Sequence, residues 1–365
     1  CESCHGAGSD FSHEALMRDR PAASQNGLKD VTKETCLRCH ENAHGKPFDF
    51  ENALRKIAHP TKTPEPTADI QYKTPLNLAI SPNGKELFVT CSESNTVIIV
   101  DTASQKKTAE ILVGRHPDDV TFHPSGKWAY VSNRLDDAVS VLEVASRKPT
   151  AEIPVGDEPK GIMTDRAGKL LYVLNAATDD ISVIDIDSLA EVKRLEASRR
   201  PWGLALSPDG DRLIATNSLP RFVPFRTPPM AEMTVLDAQK AIVEQRVVVE
   251  GANLLLGIDW HPSGDFAIGT LNRTKNLVPM TRLLQGWTIT SGLGIIWRDG
   301  RVDQVLLDEP NLCFSDPVDI KVSPDGLLAL VTSSGTNRIA VVDVPKLLSI
   351  LEQTSDYDRE HLLPN

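Results

Sequence analysis

From residue 75 to residue 343 the chain alternates short apolar runs with polar turns, and the alternation repeats. Each unit opens with two apolar runs on either side of a turn, as in LNLAISPNGKELFVTC (76–91) and WGLALSPDGDRLIATN (202–217). A third run follows, seen as TVIIVD (96–101), AVSVLEV (138–144), ISVIDID (181–187), MTVLD (233–237) and RIAVVD (338–343). A fourth reads TAEILV (108–113), TAEIPV (150–155), VKRLEA (192–197), EQRVVVE (244–250) and DQVLL (303–307). Runs of this length, rich in β-branched residues and bounded by turn residues, predict strands. The turn glycines, residues 84, 126, 168, 210, 264 and 326, are spaced 42, 42, 42, 54 and 62 residues apart. Glycine at such a turn supplies the positive φ that closes a short hairpin. Four short strands in about 42 residues make one blade of a β-propeller.

The segments LFVTCSESNTVIIVDT (87–102) and AYVSNRLDDAVSVLEV (129–144) make this stretch resemble the YVTN family of β-propellers. The resemblance implies a fold but no single activity, because propeller blades serve as scaffolds, binding surfaces and active-site walls alike. Six repeats are visible. The sixth stops after its third strand, and residues 69–73 (DIQYK) could supply the outer strand that closes a ring of six. A seventh blade outside this stretch is the other reading, and of the two we expect the ring of seven. Two units are longer, through LPRFVPFRTPPMAE (219–232) and LNRTKNLVPMTRLLQGWTITSG (271–292). Phe222, Phe225, Met230, Met280 and Trp287 in these insertions are costly to expose, which suggests a docking surface. The second insertion and the ending HLLPN resemble YVTN propellers that run on into a dihaem peroxidase-like domain of the MauG type.

The first 60 residues follow another pattern. Cys1, Cys4 and His5 form one Cys-x-x-Cys-His unit, and Cys36, Cys39 and His40 form a second. Two thiols three positions apart meet the two vinyl groups of one porphyrin, and the adjacent histidine is delivered to the iron. A four-cysteine zinc site gives no reason for a histidine after each pair, and a thioredoxin-like pair needs a strand–helix context that is absent. Two covalent c-type haems are therefore expected, with His5 and His40 as proximal ligands. His13, His44 and His59 are candidates for the second axial positions. His44 lies only four residues past His40, about 6 Å along a helix, too close to round the porphyrin edge of the same haem, so it would serve another one. His59, nineteen residues past His40, has the reach to round that edge, His13 could cap either haem or a haem outside this chain, and Met17 is the weaker alternative. CESCHGAGSDFSH (1–13) and CLRCHENAHGKPFDFENALRKIAHP (36–60) resemble multihaem c-type cytochromes of the cytochrome c554 type, which implies closely packed haems with two histidines on each iron.

The formal charge is −11, and residues 1–66 are nearly neutral, so the acidity lies in the propeller. Phosphate binding needs basic patches, which argues against nucleic acid as a partner. No apolar run reaches the about 18 residues of a membrane span. Cys1 stands inside a motif, so residue 1 is read as a processed or cut end. Among smaller features, His123 and His261 occupy the serine position of the repeated turn and are read as turn residues. His116, beside Arg115, Asp118 and Asp119, sits where a propeller channel opens. ATDDISVIDIDS (177–188) suggests calcium but lacks the glycine and glutamate of a calcium loop. Cys91 and Cys313 are expected as buried thiols, with a disulfide as the alternative in an oxidising compartment.

The expected molecule is mostly β. A small α/irregular dihaem cytochrome c domain (1–60) and a Pro/Thr linker (61–67) precede a six- or seven-bladed propeller of the YVTN type (68–350) and a tail (351–365). The expected function is electron transfer in the periplasm or outside the cell, with the propeller as docking platform for a redox partner, including other multihaem or dihaem peroxidase-like subunits. The alternative is a subunit of a haem redox enzyme, peroxidase-like or nitrogen-oxide-converting, with substrate at an open haem or in the propeller channel.

Overall fold

The structure is a computed structural model that describes residues 20–25, 28, 32–40, 49–57, 72–225, 227–274, 289–308 and 313–361. The chain divides into two compact units, Cys1–Ile70 and Gln71–Asn365. In the first unit the described elements are helices: α1 (Arg20–Gln25), α2 (Lys33–His40) and α3 (Phe50–Ile57). Two of them begin on side-chain caps that the sequence provides. The Thr32 hydroxyl accepts from the amide of Thr35 at 3.3 Å, and the Asp49 carboxylate from that of Asn52 at 3.1 Å. Each occupies one of the amides that a helix start leaves without a partner.

The second unit is a β-propeller of six antiparallel sheets. Blades 1 to 5 span Pro75–Leu112, Pro117–Pro154, Pro159–Glu196, Pro201–Glu250 and Ala252–Leu306 with four strands each, and blade 6 (Pro317–Asp343) has three. The hairpin turns behave as their composition requires. In the first, the amide of Gly84 donates to the Ser81 carbonyl at 2.8 Å while Gly84 holds φ at +72°. His123 and His261 are turn residues, as expected, and they also reach across to the following blade. Their Nδ1 atoms meet Ser125 and Ser263 at 2.7 and 2.9 Å, and their Nε2 atoms meet the carbonyls of Gly168 and Gly326 at 3.0 and 3.2 Å.

Alternation along each strand puts one set of apolar residues toward the preceding blade and the other toward the next. The hydrophobic core accordingly forms five clusters, one for each pair of successive blades. Between blades 1 and 2, for example, Phe88 and Phe122 meet edge to face with centroids 4.8 Å apart. Hydroxyls on the second strands add a second kind of tie. Thr90, Ser132 and Thr216 donate to the carbonyls of Asp118 (2.9 Å), Lys160 (2.6 Å) and Leu256 (2.5 Å) in the next blade's inner strand. No sixth cluster joins blade 6 to blade 1 among the described residues.

The suggestion that 69–73 closes the ring fails where it can be examined. Tyr72 and Lys73 are not in a strand, and the Lys73 ammonium pairs with Glu110 on the outer strand of blade 1; residues 69–71 lie outside the described residues. After blade 6 the chain turns directly into α4 (Val344–Gln353), capped by the Asp343 carboxylate on the Lys346 amide at 3.0 Å, and then α5 (Asp356–His361). Val344, Leu347 and Leu351 of α4 are buried in the core between blades 5 and 6. Cys91 and Cys313 are free thiols, the first buried and the second half-buried. Asp180–Asp185 of the acidic run form the third strand of blade 3.

Candidate functional site

Of the candidate haem residues, Cys1, Cys4, His5, His13, His44 and His59, and the weaker candidate Met17, lie outside the described residues, while Cys36, Cys39 and His40 lie on α2. Positions 36 and 39, three apart, fall on one face of that helix. Position 40 follows on its last turn. The Cys36 side chain is buried, 8% exposed. Haem attachment takes two thiols three positions apart with a histidine next to the second, and residues 36–40 of that spacing lie on α2.

In the propeller the charged chemistry gathers on the inner strands, which line a propeller's central channel. Asp118 and Asp119 come from blade 2, Lys160 from blade 3, Trp202 from blade 4, Asp259 from blade 5, and Asp319 and Lys321 from blade 6. Asp118 and Lys160 form a buried ion pair at 3.0 Å, their side chains 9% and 5% exposed. The same ammonium stands 3.7 Å from the centroid of the Trp202 ring. A charge taken out of water is tolerated only when paired, and Lys160 has a carboxylate on one side and an aromatic face on the other.

Asp119 is a different kind of carboxylate. Burial raises its pKa from 3.8 to about 7, although the amides of Ile162 and Val120 donate to it at 3.1 and 2.8 Å and oppose the rise. Burial likewise raises Asp319, against the pull of Lys321. The Lys321 side chain is 64% exposed, and although desolvation pulls the ammonium down, Asp259, Asp319 and Asp119 outweigh it and hold the ammonium above its ordinary value. The Lys321 ammonium lies 3.7 Å from Asp259. The wall thus sets four carboxylates against two ammonium groups, with one of the carboxylates protonated through most of the acid range.

One rim of the channel is marked by the residues that precede the inner strands. Thr74, His116, Glu158, Arg200 and Asp316 all stand at φ between 46° and 56° before a proline. Glu158 links three blades through Arg134 (3.2 Å) and Arg200 (2.7 Å). His116 lies here as expected, its amide donating to Asn95 at 2.8 Å and its buried Nδ1 left without a hydrogen-bond partner among the described residues. The loops after the second strands reach the same rim, for Arg134 and Ser218 donate their amides to the carbonyls of His116 and Arg200. The insertion of blade 4 therefore opens at this rim. Phe222 and Phe225 are 85% and 91% exposed, and the Arg199 guanidinium sits 3.9 Å over the Phe222 ring. Met230 is half-buried at the start of the third strand, and Met280 and Trp287 lie outside the described residues.

Reading the sequence located His116, Asp118 and Asp119 but missed Lys160, Trp202, Asp259, Asp319 and Lys321. A signal for two of these was present: Asp118, Lys160 and Trp202 each follow the proline that opens an inner strand, at intervals of 42 residues.

A family described as a seven-bladed β-propeller lactonase matches residues 78–201, which cover blades 1 to 3. Hydrazine synthase subunit beta of Kuenenia stuttgartiensis is 29% identical over 163 residues, 43% of this chain. That match spans 40% of the relative's length. A solved structure of Kuenenia stuttgartiensis hydrazine synthase superposes with a TM-score of 0.75 at 25% identity, covering 83% of this chain and 86% of that one. The Cps50 (Swd1) propeller domain of Myceliophteria thermophila gives 0.57 at 15% identity over 74% and 83% of the two chains, a likeness of fold alone.

Proposed function

We propose that the chain is a subunit of a multi-subunit haem enzyme complex that converts nitrogen compounds, and that it carries two c-type haems for electron transfer on its first 60 residues. The observation that carries this reading is the likeness of the propeller to hydrazine synthase over 83% of the chain, joined in one polypeptide to two Cys-x-x-Cys-His motifs. Bound haem supplies an iron that cycles between two oxidation states. Cys1 and Cys4, and Cys36 and Cys39, would hold the two groups through thioether bonds, with His5 and His40 on the irons and His13, His44 and His59 as the pool of second ligands. Two histidines per iron leave no open coordination position, so this chain would pass electrons while substrate is converted elsewhere in the assembly. The propeller would position the partner, with the rim around Phe222 and Phe225 as the contact. No helix among the described residues is long and apolar enough to cross a membrane. Covalent haem attachment belongs to a compartment outside the cytoplasm, and the proposed location is periplasmic or extracellular.

A pyridine haemochrome spectrum of the protein purified from a host that matures c-type haems tests the first step, and two haems per chain is the expected count. Cys36→Ala with Cys39→Ala should lower it to one. Carbon monoxide added to the reduced protein tests the second step. Prompt binding at one haem would replace the carrier reading with that of a catalytic haem.

A further inference from the structure

The seam between blades 2 and 3 holds a cavity of about 520 Å³. Its apolar walls include Trp128 and Tyr130 from the second strand of blade 2, and Ile186 and Leu189 from the turn after the third strand of blade 3. All four belong to, or pack against, the apolar cluster between these two blades. Part of the polar lining is already engaged. The His123 ring is bonded at both nitrogens, and the Thr150 hydroxyl donates to the Val141 carbonyl at 3.2 Å. The Tyr130 hydroxyl makes no hydrogen bond among the described residues, although the residue is only 1% exposed. Burial, and after it the charge of Asp187, push its pKa up to about 12, so it stays a donor across the physiological range. An enclosed donor without a partner is costly and calls for an explanation.

The next seam, between blades 3 and 4, shows what the repeat does when the same space is filled. Tyr172 stands 42 residues past Tyr130, and its hydroxyl donates to the Ala238 carbonyl of blade 4 at 2.8 Å. Ala238 follows the third strand of blade 4 as Ile186 follows that of blade 3. A second side chain crosses the same seam. Lys193 on the outer strand of blade 3 donates to the Ala241 carbonyl at 2.7 Å, and Ala241 holds φ at +52° in the turn of blade 4, as Leu189 holds +53° in that of blade 3. Lys193 pairs with Val183 as Ala151 pairs with Val141, so position 151 is where blade 2 would carry such a strap. An alanine side chain ends at Cβ and cannot reach Leu189. Between blades 2 and 3 the strap is therefore missing and the tyrosine hydroxyl is left unpaired, both at one cavity.

We propose that this cavity binds a neutral phenolic compound, of which phenol is the smallest. The aromatic ring would lie against Trp128, Ile186 and Leu189, and the phenol oxygen would accept from the Tyr130 hydroxyl. The proton of the phenol would be donated to the Asp187 carboxylate, which lines the same cavity. A hydroxyl on a flat apolar body meets all three needs at once: apolar walls, a donor that lacks an acceptor, and a carboxylate that accepts. Lys127 also lines the cavity, so the lining carries one charge of each sign and favours a neutral ring over an ionic one.

Titration calorimetry of the full chain with phenol tests this. Phenol should bind with a dissociation constant of about 1 mM or below, and toluene, which keeps the ring and lacks the hydroxyl, at least about tenfold more weakly. Tyr130→Phe should weaken phenol about tenfold, bringing the two ligands level, while the unfolding midpoint stays within about 2 °C. A tyrosine with a structural role alone would not separate the two ligands. Ala151→Lys, which rebuilds the strap of the next seam, should abolish phenol binding without lowering the midpoint. Absence of phenol binding, equal affinities for phenol and toluene, or a phenol affinity that Tyr130→Phe leaves unchanged overturns the proposal. Undiminished binding in Ala151→Lys overturns it as well, because the phenol would then sit elsewhere on the molecule.

Discussion

Lys160 carries more of the propeller than its single charge suggests. It joins blade 3 to blade 2 through Asp118 and to blade 4 through the Trp202 ring, all within the channel wall. Removing one member of a buried pair leaves the other as an uncompensated charge, at a cost of about 3–5 kcal/mol. Lys160→Met should therefore destabilise the propeller by that amount in chemical denaturation, and Lys160→Met with Asp118→Asn should recover part of it. Asp119 makes a prediction in pH. Its folded pKa is about 7 against 3.8 in the unfolded chain, so between these values the folded state keeps a proton that the unfolded state has lost. Stability from this residue is greatest below pH 3.8 and declines as pH rises toward 7. Asp119→Asn should remove that decline: the difference in unfolding midpoint between variant and parent, with Lys321 and Asp118 common to both, should shift in favour of the variant from pH 4 to pH 8. A constant difference would mean that Asp119 is ionised in the fold.

At the scale of the element, the hairpin turn does two tasks. Gly168 closes the first turn of blade 3 at φ +70°, and a Cβ placed on it would stand 2.4 Å from the His123 ring of blade 2. Gly168→Ala should therefore cost about 1–3 kcal/mol from backbone strain alone, and more from the clash. In a His123→Ala background the same substitution should cost less, which a double-mutant cycle measures. The alternation of the strands and the glycines of the turns were legible in the sequence, because both follow from local stereochemistry. Inter-blade contacts made by the turn histidines were not, since nothing near His123 in sequence points to Gly168, 45 residues away.

At the scale of the whole molecule, function is a matter of which surfaces remain to be covered. Phe222→Ala with Phe225→Ala should weaken binding to a redox partner at least about tenfold, since exposed aromatic anchors dominate such contacts, while shifting the unfolding midpoint by no more than about 2 °C. Unchanged affinity in a titration calorimeter would free this rim of the docking role.

The sequence by itself determined the repeat, the turn positions, the strand count per blade and the two Cys-x-x-Cys-His motifs, because each is a pattern of neighbours within a few residues or at a fixed period. It also placed Cys36, Cys39 and His40 at a spacing that α2 turns into one helix face and its last turn. Only the tertiary structure decided that Asp118, Lys160 and Trp202 meet in one wall, that Asp119 is enclosed enough to hold its proton toward neutrality, and that no core cluster joins blade 6 to blade 1 among the described residues. Burial and pairing depend on which strands the ring brings side by side, and residues 42 apart become neighbours only when the blades pack.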